Sequence, residues 1–190
     1  MAVYSEISGF ILAGGKSSRM GTDKAFLKIN ETPMLIHVKN LIEPYCNSLA
    51  ISGYKPEYLS FNITMIPDQH AGCGPISGLY SCLKQSTSDW NLFVSVDTPF
   101  INSELLEFLL LNPGDCDCVI PKHTGGIEPS IGLYNRRILP VLDDAIKNGE
   151  YKLHELLSKL KTCYLDCNSL IKKYPRLFLN INKPEDYSLV

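Results

Sequence analysis

The sequence predicts an α/β fold built on a mostly parallel sheet with an antiparallel strand. Three observations lead there. Short apolar runs of strand length alternate with segments whose apolar residues recur at helical spacing. The strand-like runs end in Gly, Pro or Asp, the punctuation of strand-to-helix turns. The alternation persists from Ile7 to the second half of the chain, where the pattern becomes less regular and an antiparallel strand is expected.

At 190 residues the chain is read as one domain spanning 1–190. Such a domain buries roughly 70% of its unfolded surface without metals or disulfides. A net charge of −2 argues against a broad nucleic-acid or membrane surface and leaves room for a small basic site. No apolar run approaches the ~20 residues of a membrane span. Seven scattered cysteines, an odd count, fit a reduced cytoplasm. Neither Cys116 with Cys118 nor Cys163 with Cys167 forms a CxxC pair, and no histidines gather around them, so a zinc site is not expected.

The first strand, from Ile7 to Leu12, breaks into a loop holding Gly14, Gly15 and Gly21. Glycine lets backbone N–H groups approach an anion and turn toward one point. Lys16, Arg19, Lys24 and Lys28 surround the glycines, with Asp23 the only acid among them. The spacing is neither that of the P-loop nor that of the dinucleotide fingerprint. It is a phosphate loop of another kind.

Beyond the loop, Pro33 followed by MLIHVKNLIEPY predicts a helix with Met34, Val38, Leu41 and Ile42 on one face and His37 at the edge of the core. Ser48 to Ser52 predicts a strand ending at Gly53, and Phe61 to Ile66 another, stopped by Pro67 and Asp68. Gly72, Gly74 and Pro75 precede a helix carrying Ile76, Leu79 and Leu83; this turn suits a phosphate or base site and a tight packing turn equally.

Asp89 to Asp97 has the continuous apolar run of a strand buried on both faces, ended by a carboxylate. Asp97 at that position is a candidate metal ligand; capping the next helix falls better to Asn102 or Ser103. Further on, Ser103 to Leu111 predicts a helix, Cys116 to Pro121 a strand, and Gly125 to Tyr134 a loop, with Glu128 and Pro129 at its mouth, feeding a strand. Helices follow over Arg136 to Asn148 and Leu153 to Leu160, the first ended by Gly149. In the tail, Asn180 and Asn182 alternate along a short strand, either to bond a ligand or to form the turn at Pro184.

Placed in order, these segments resemble the molybdenum cofactor guanylyltransferases, nucleotidyltransferases with a Rossmann-like three-layer α/β/α sandwich. The resemblance rests on LAGGKSSRMGTDKAFL (12–27), TPML (32–35), Asp68, GPISGL (74–79), VDTPF (96–100), EPSIGLYN (128–135) and NINKPED (180–186). It implies that Leu12, Ala13, Gly14 and Gly15 contact GTP, that Lys24 and Arg19 counter its phosphates, that Asp68 holds nucleotide and that Asp97 binds Mg²⁺. The family commonly has Asn where this chain has Ser52, at the guanine contact. LAGG in place of the cytidylyltransferases' LAAG points to GTP over CTP. The implied reaction joins GMP from GTP to the terminal phosphate of molybdopterin, with Glu128, Pro129, Asn180 and Asn182 as candidate acceptor contacts. Cofactor-synthesis proteins and apo-molybdoenzymes are the implied partners. Transfer of another nucleotide, transfer to a sugar phosphate, and non-catalytic GTP binding are the alternatives.

Overall fold

The computed structural model describes residues 7–13, 23–182 and 186. The predicted Gly14, Gly15, Lys16, Arg19 and Gly21, and the turn at Pro184, lie outside them. The strands are Ile7–Leu12 (β1), Lys28–Ile29 (β2), Thr32–Pro33 (β3), Ser48–Ser52 (β4), Thr64–Ile66 (β5), Trp90–Ser95 (β6), Cys118–His123 (β7), Gly126–Ile127 (β8), Gly132–Asn135 (β9) and Thr162–Asp166 (β10). The α-helices are Met34–Ile42 (α1), Pro75–Gln85 (α2), Ser103–Leu110 (α3), Leu139–Lys147 (α4), Leu153–Ser158 (α5) and Asn168–Lys173 (α6).

The main sheet runs β10-β7-β9-β6-β1-β4-β5, with β8 paired to β7. β1 pairs in parallel with β4 on one side and β6 on the other, β5 follows β4 in parallel, and β10 lies parallel to β7. β9 is antiparallel to both β6 and β7. The mixed sheet thus carries the antiparallel strand that the irregular second half predicts.

Alternation along the strands divides the core into two layers. Ile7 and Ile11 of β1, Leu92 and Val94 of β6 and Leu133 of β9 pack with α1, α3 and α6. Phe10, Phe93 and Tyr134 point to the other face and pack with α2, α4 and α5. On that face Phe10 stacks on Phe93 at 5.0 Å and Tyr134 meets Phe93 edge-on at 5.5 Å. Each central strand is buried on both sides, which is why its sequence reads as a continuous apolar run.

Several predicted boundaries change. Phe61 to Ile66 is not one strand: 56–61 form a 3-10 turn, Asn62 is left-handed at φ 52°, and only Thr64–Ile66 extends. A residue at positive φ cannot continue a strand, so Asn62 delays β5. The tail 178–182 is not a strand either. It takes no place in the sheet, and Ile181 N–H donates instead to the Asp97 carbonyl at 2.8 Å. β10 and α6, which the sequence reading passed over, complete the far edge.

Asn102 caps α3, its side chain accepting from the Leu105 N–H at 3.0 Å, so Asp97 is not the cap. Cys116 and Cys163 form a disulfide, a pairing that separate thiols in a reduced cytoplasm did not foresee. The register of β10 on β7 sets Cys163 beside Val119, and its Cα lies 5.9 Å from that of Cys116. The other five cysteines are free thiols. Among the described residues, no helix is long and apolar enough to cross a membrane.

Candidate active site

The sheet order reverses at β1. The chain moves outward from β1 through β4 to β5, then returns across α2 to lay β6 on β1's other side. In open α/β sheets the crevice at such a reversal, beyond the carboxyl ends of the strands, is where ligands bind. Leu12 pairs with Ser52 on one side and Ser95 on the other, and Val96 N–H donates to the Leu12 carbonyl at 3.0 Å. Ala13, Ser52 and Asp97 therefore emerge along one edge.

Three of the predicted residues converge there. Lys24 Nζ donates to Asn182 Oδ1 at 2.6 Å and lies 3.6 Å from Asp97 Oδ2. Asp97 Oδ1 accepts from Ser95 Oγ at 2.6 Å, which holds the carboxylate on the strand that carries it. Ile181 N–H on the Asp97 carbonyl fixes the tail against the same strand end. Asn182 N–H in turn donates to Asp186 at 2.8 Å. A cation, a carboxylate and an amide from three distant positions meet in the crevice, an arrangement suited to gathering a polyphosphate.

On the β4–β5 side, Ser52 is buried and Asp68 stands two residues past β5. Gly78, in α2, backs them: a Cβ there would sit 2.4 Å from Ser52 Oγ and 3.6 Å from Asp68 Oδ1. The glycine is required for that close approach. Burial pushes the Cys82 thiol up to about 12, with the neighbouring Ser52 hydroxyl opposing the shift. Asp68 remains exposed, yet desolvation by its surroundings raises its carboxyl above the usual value. Gly72 and Gly74 lie at φ 83° and 64° ahead of Pro75, which opens α2, and a Cβ on either would meet nothing within 4 Å, so it is backbone conformation rather than close packing that asks for glycine there.

The acceptor candidates divide. His123 Nδ1 accepts from the Gly125 N–H at 3.0 Å, which puts the ring proton on Nε2, and Nε2 lies 3.0 Å from Glu128 Oε1. Phe178 stacks flat on the His123 ring at 5.0 Å. Glu128 is thereby tied to the tail that carries Asn182. The Pro129 carbonyl accepts from the buried Tyr134 hydroxyl, so Pro129 shapes the loop through its backbone. Asn180 is partly buried, and among the described residues no hydrogen bond joins it to Lys24 or Asp97.

Sequence reasoning missed Ser95, His123, Tyr58 and the central place of Asp23. The only signal was Asp23 itself, the single acid in a basic loop. Its carboxylate accepts from the Ala25 N–H at 3.1 Å and the Tyr58 hydroxyl at 2.9 Å and pairs with Lys55.

Comparison with known proteins bears on family and fold. The family model described as MobA-like NTP transferase domain matches residues 9–163. A Carboxydothermus hydrogenoformans protein named "Probable molybdenum cofactor guanylyltransferase" is 30% identical over 179 residues, covering 93% of this chain and 91% of its own. A Vibrio campbellii protein named "Molybdenum cofactor guanylyltransferase" is 31% identical over 186 residues, covering 96% and 93%. The crystal structure of molybdopterin-guanine dinucleotide biosynthesis protein A from Archaeoglobus fulgidus superposes with a TM-score of 0.81 at 28% identity, covering 96% of this chain and 95% of that one.

Proposed function

Because the chain belongs to the MobA-like NTP transferase family, we propose that it is a molybdenum cofactor guanylyltransferase, transferring GMP from GTP to the terminal phosphate of molybdenum-bearing molybdopterin. The observation that carries the reading is the meeting of Lys24, Asp97 and Asn182 at the sheet's reversal.

An oxygen of the acceptor's phosphate attacks the α-phosphorus of GTP, the bond to the β-phosphate oxygen breaks, and pyrophosphate leaves. A phosphate monoester has its second pKa near ~6, so the nucleophile is already ionised at neutral pH and no general base is needed. Alignment and charge neutralisation do the rest. Lys24 counters charge on the triphosphate, Asn182 holds the ammonium in place, and Ser95 holds Asp97. Arg19 joins Lys24 in this role. Leu12, Ala13, Gly14 and Gly15 offer backbone to the phosphates, and Ser52 and Asp68 face the nucleoside.

Asp97 fits Mg²⁺. Among the described residues no three His, Cys, Asp or Glu side chains form a cage, and Mg²⁺ is usually held by one or two carboxylates with substrate phosphates and water. When bound, the ion would counter charge on the phosphates.

Cofactor-synthesis proteins and apo-molybdoenzymes are the proposed hand-over partners. We assign the reaction to the cytoplasm, supported by five cysteines that remain free thiols. The Cys116–Cys163 bridge pulls the other way. Protein taken from that compartment and trapped with a thiol reagent should show seven reactive thiols once unfolded, the bridge being open there.

The function is tested with purified protein, Mg²⁺, molybdenum cofactor and GTP, CTP, ATP or UTP in parallel. Pyrophosphate release with GTP and formation of the guanine dinucleotide are expected. Product from CTP in preference to GTP would overturn the guanylyl reading, and GTP binding without product would overturn the catalytic one.

A further inference from the structure

The glycine-rich segment begins at Ala13 and ends at Asp23, and both ends meet one side chain. Tyr58 is almost wholly buried, at 1% exposure. Its hydroxyl lies 2.9 Å from Asp23 Oδ2 and 3.2 Å from the Ala13 carbonyl. One proton serves two acceptors, and the charged one takes the larger share. A peptide group is planar and moves as one body, so holding the Ala13 oxygen fixes the plane on which the chain enters the segment.

At the other end, Asp23 uses its second oxygen to cap the 3-10 turn Lys24–Phe26 through the Ala25 N–H at 3.1 Å. That turn presents Lys24, which reaches Asn182 and Asp97. Lys55 pairs with the same Asp23 oxygen that Tyr58 contacts, and its ammonium lies 5.3 Å from the Tyr58 ring centre. The ring itself is wedged against Phe26 at 5.9 Å and Phe61 at 6.0 Å. Burial and the Asp23 charge push the phenol well above its ordinary value, so it remains a donor throughout the working pH range. A packing aromatic needs no hydroxyl here. This one sits where it spans both ends of the segment.

We propose that Tyr58, Asp23 and Lys55 are positioning residues for nucleotide binding, clasping the two ends of the glycine-rich segment and aiming Lys24 at the phosphates. The proposal rests on the nucleotidyltransferase reading for what the segment holds. It does not depend on which base or acceptor is used.

Tyr58→Phe keeps the ring and removes only the donor. Calorimetry with GTP, and separately with inorganic triphosphate, both without acceptor, should show about tenfold weaker binding of each, the loss of one charge-assisted bond. KM for GTP should rise by a similar factor while KM for the acceptor stays put. Amide exchange should quicken from Ala13 to Ala25 and remain unchanged in α3. Combining Tyr58→Phe with Asp23→Asn should weaken binding no more than the stronger single change, because the two act as one unit. In a Lys55→Met protein affinity should fall, and Lys55→Arg should restore it.

Wild-type affinity in Tyr58→Phe, or a lowered Tm with affinity intact, would make Tyr58 a packing residue and overturn the clasp. If the wild-type protein binds inorganic triphosphate yet forms no guanine dinucleotide, the functional reading fails alone, and the Tyr58→Phe comparison still decides the clasp. A wild-type protein that binds no triphosphate overturns both.

Discussion

The β1–β6 half and the β7–β10 half of the molecule hold their parts of the site by different means. On the first side, Ala13, Ser52 and Asp97 stand just at or beyond the ends of parallel strands whose register is fixed by backbone hydrogen bonds. On the second, Glu128 is held by side-chain contacts through His123 and Phe178, while the tail that carries Phe178 crosses back to put Ile181 N–H on the Asp97 carbonyl and Asn182 on Lys24. On the proposed nucleotide side the strand ends are set by main-chain geometry and only Lys24 is aimed by side chains; on the proposed acceptor side Glu128 is set by side chains alone, which substitution can redirect.

The contrast makes graded expectations. Asp97→Asn should lower kcat by at least about a hundredfold with Tm little changed, since it removes the charge at the reacting centre and leaves the strand intact. Near-normal turnover in that protein would remove Asp97 from the chemistry. Glu128→Gln should raise KM for the acceptor about tenfold and leave GTP affinity alone; a shift in GTP affinity instead would dissolve the division between the halves. Gly78→Ala places a methyl on Ser52 and should cost about 1–2 kcal/mol of stability while weakening GTP binding, read by denaturant melts with and without nucleotide.

The smallest effect concerns Asp68. Its folded-state pKa is raised by desolvation, so ionising it costs the fold, and stability contributed by the protonated form is lost as pH rises through the carboxylate range. Asp68→Asn should gain Tm relative to the wild type between about pH 3 and pH 7. The gain should be slight because Asp68 is exposed. An equal difference at both ends of that range would deny the link.

Much of the architecture can be read from periodicity, and particular residues show where that stops. β4 keeps the bounds its apolar run predicts, and β6 falls inside its predicted run, because a strand buried on both faces carries an unmistakable apolar stretch. β10 has only β7 for a partner and exposes alternate residues, so TCYLD carries no comparable mark. Asn62 looks like any polar residue in a strand until its positive φ is known. Within the site, Lys24 and Asp97 are legible because each sits on a local motif. His123 and Tyr58 are not, since their roles exist only where separate segments fold against one another, and Ser95, two residues before Asp97 on the same strand, carries no mark that sets its hydroxyl apart.

β9 has one more consequence. Lying reversed between β6 and β7, it pairs with Trp90–Phe93 of one and with Cys118 and Val119 of the other, and there holds them two strand spacings apart, about 10 Å. It works as a spacer of fixed width between the strand that leads to Asp97 and the strand that ends at His123. What is moored on the β7 side can change in shape without disturbing the β6 ladder, because β6 hydrogen-bonds the spacer and not its far neighbour. A loop rooted on β7 can therefore be remodelled while the strand that leads to Asp97 keeps its place.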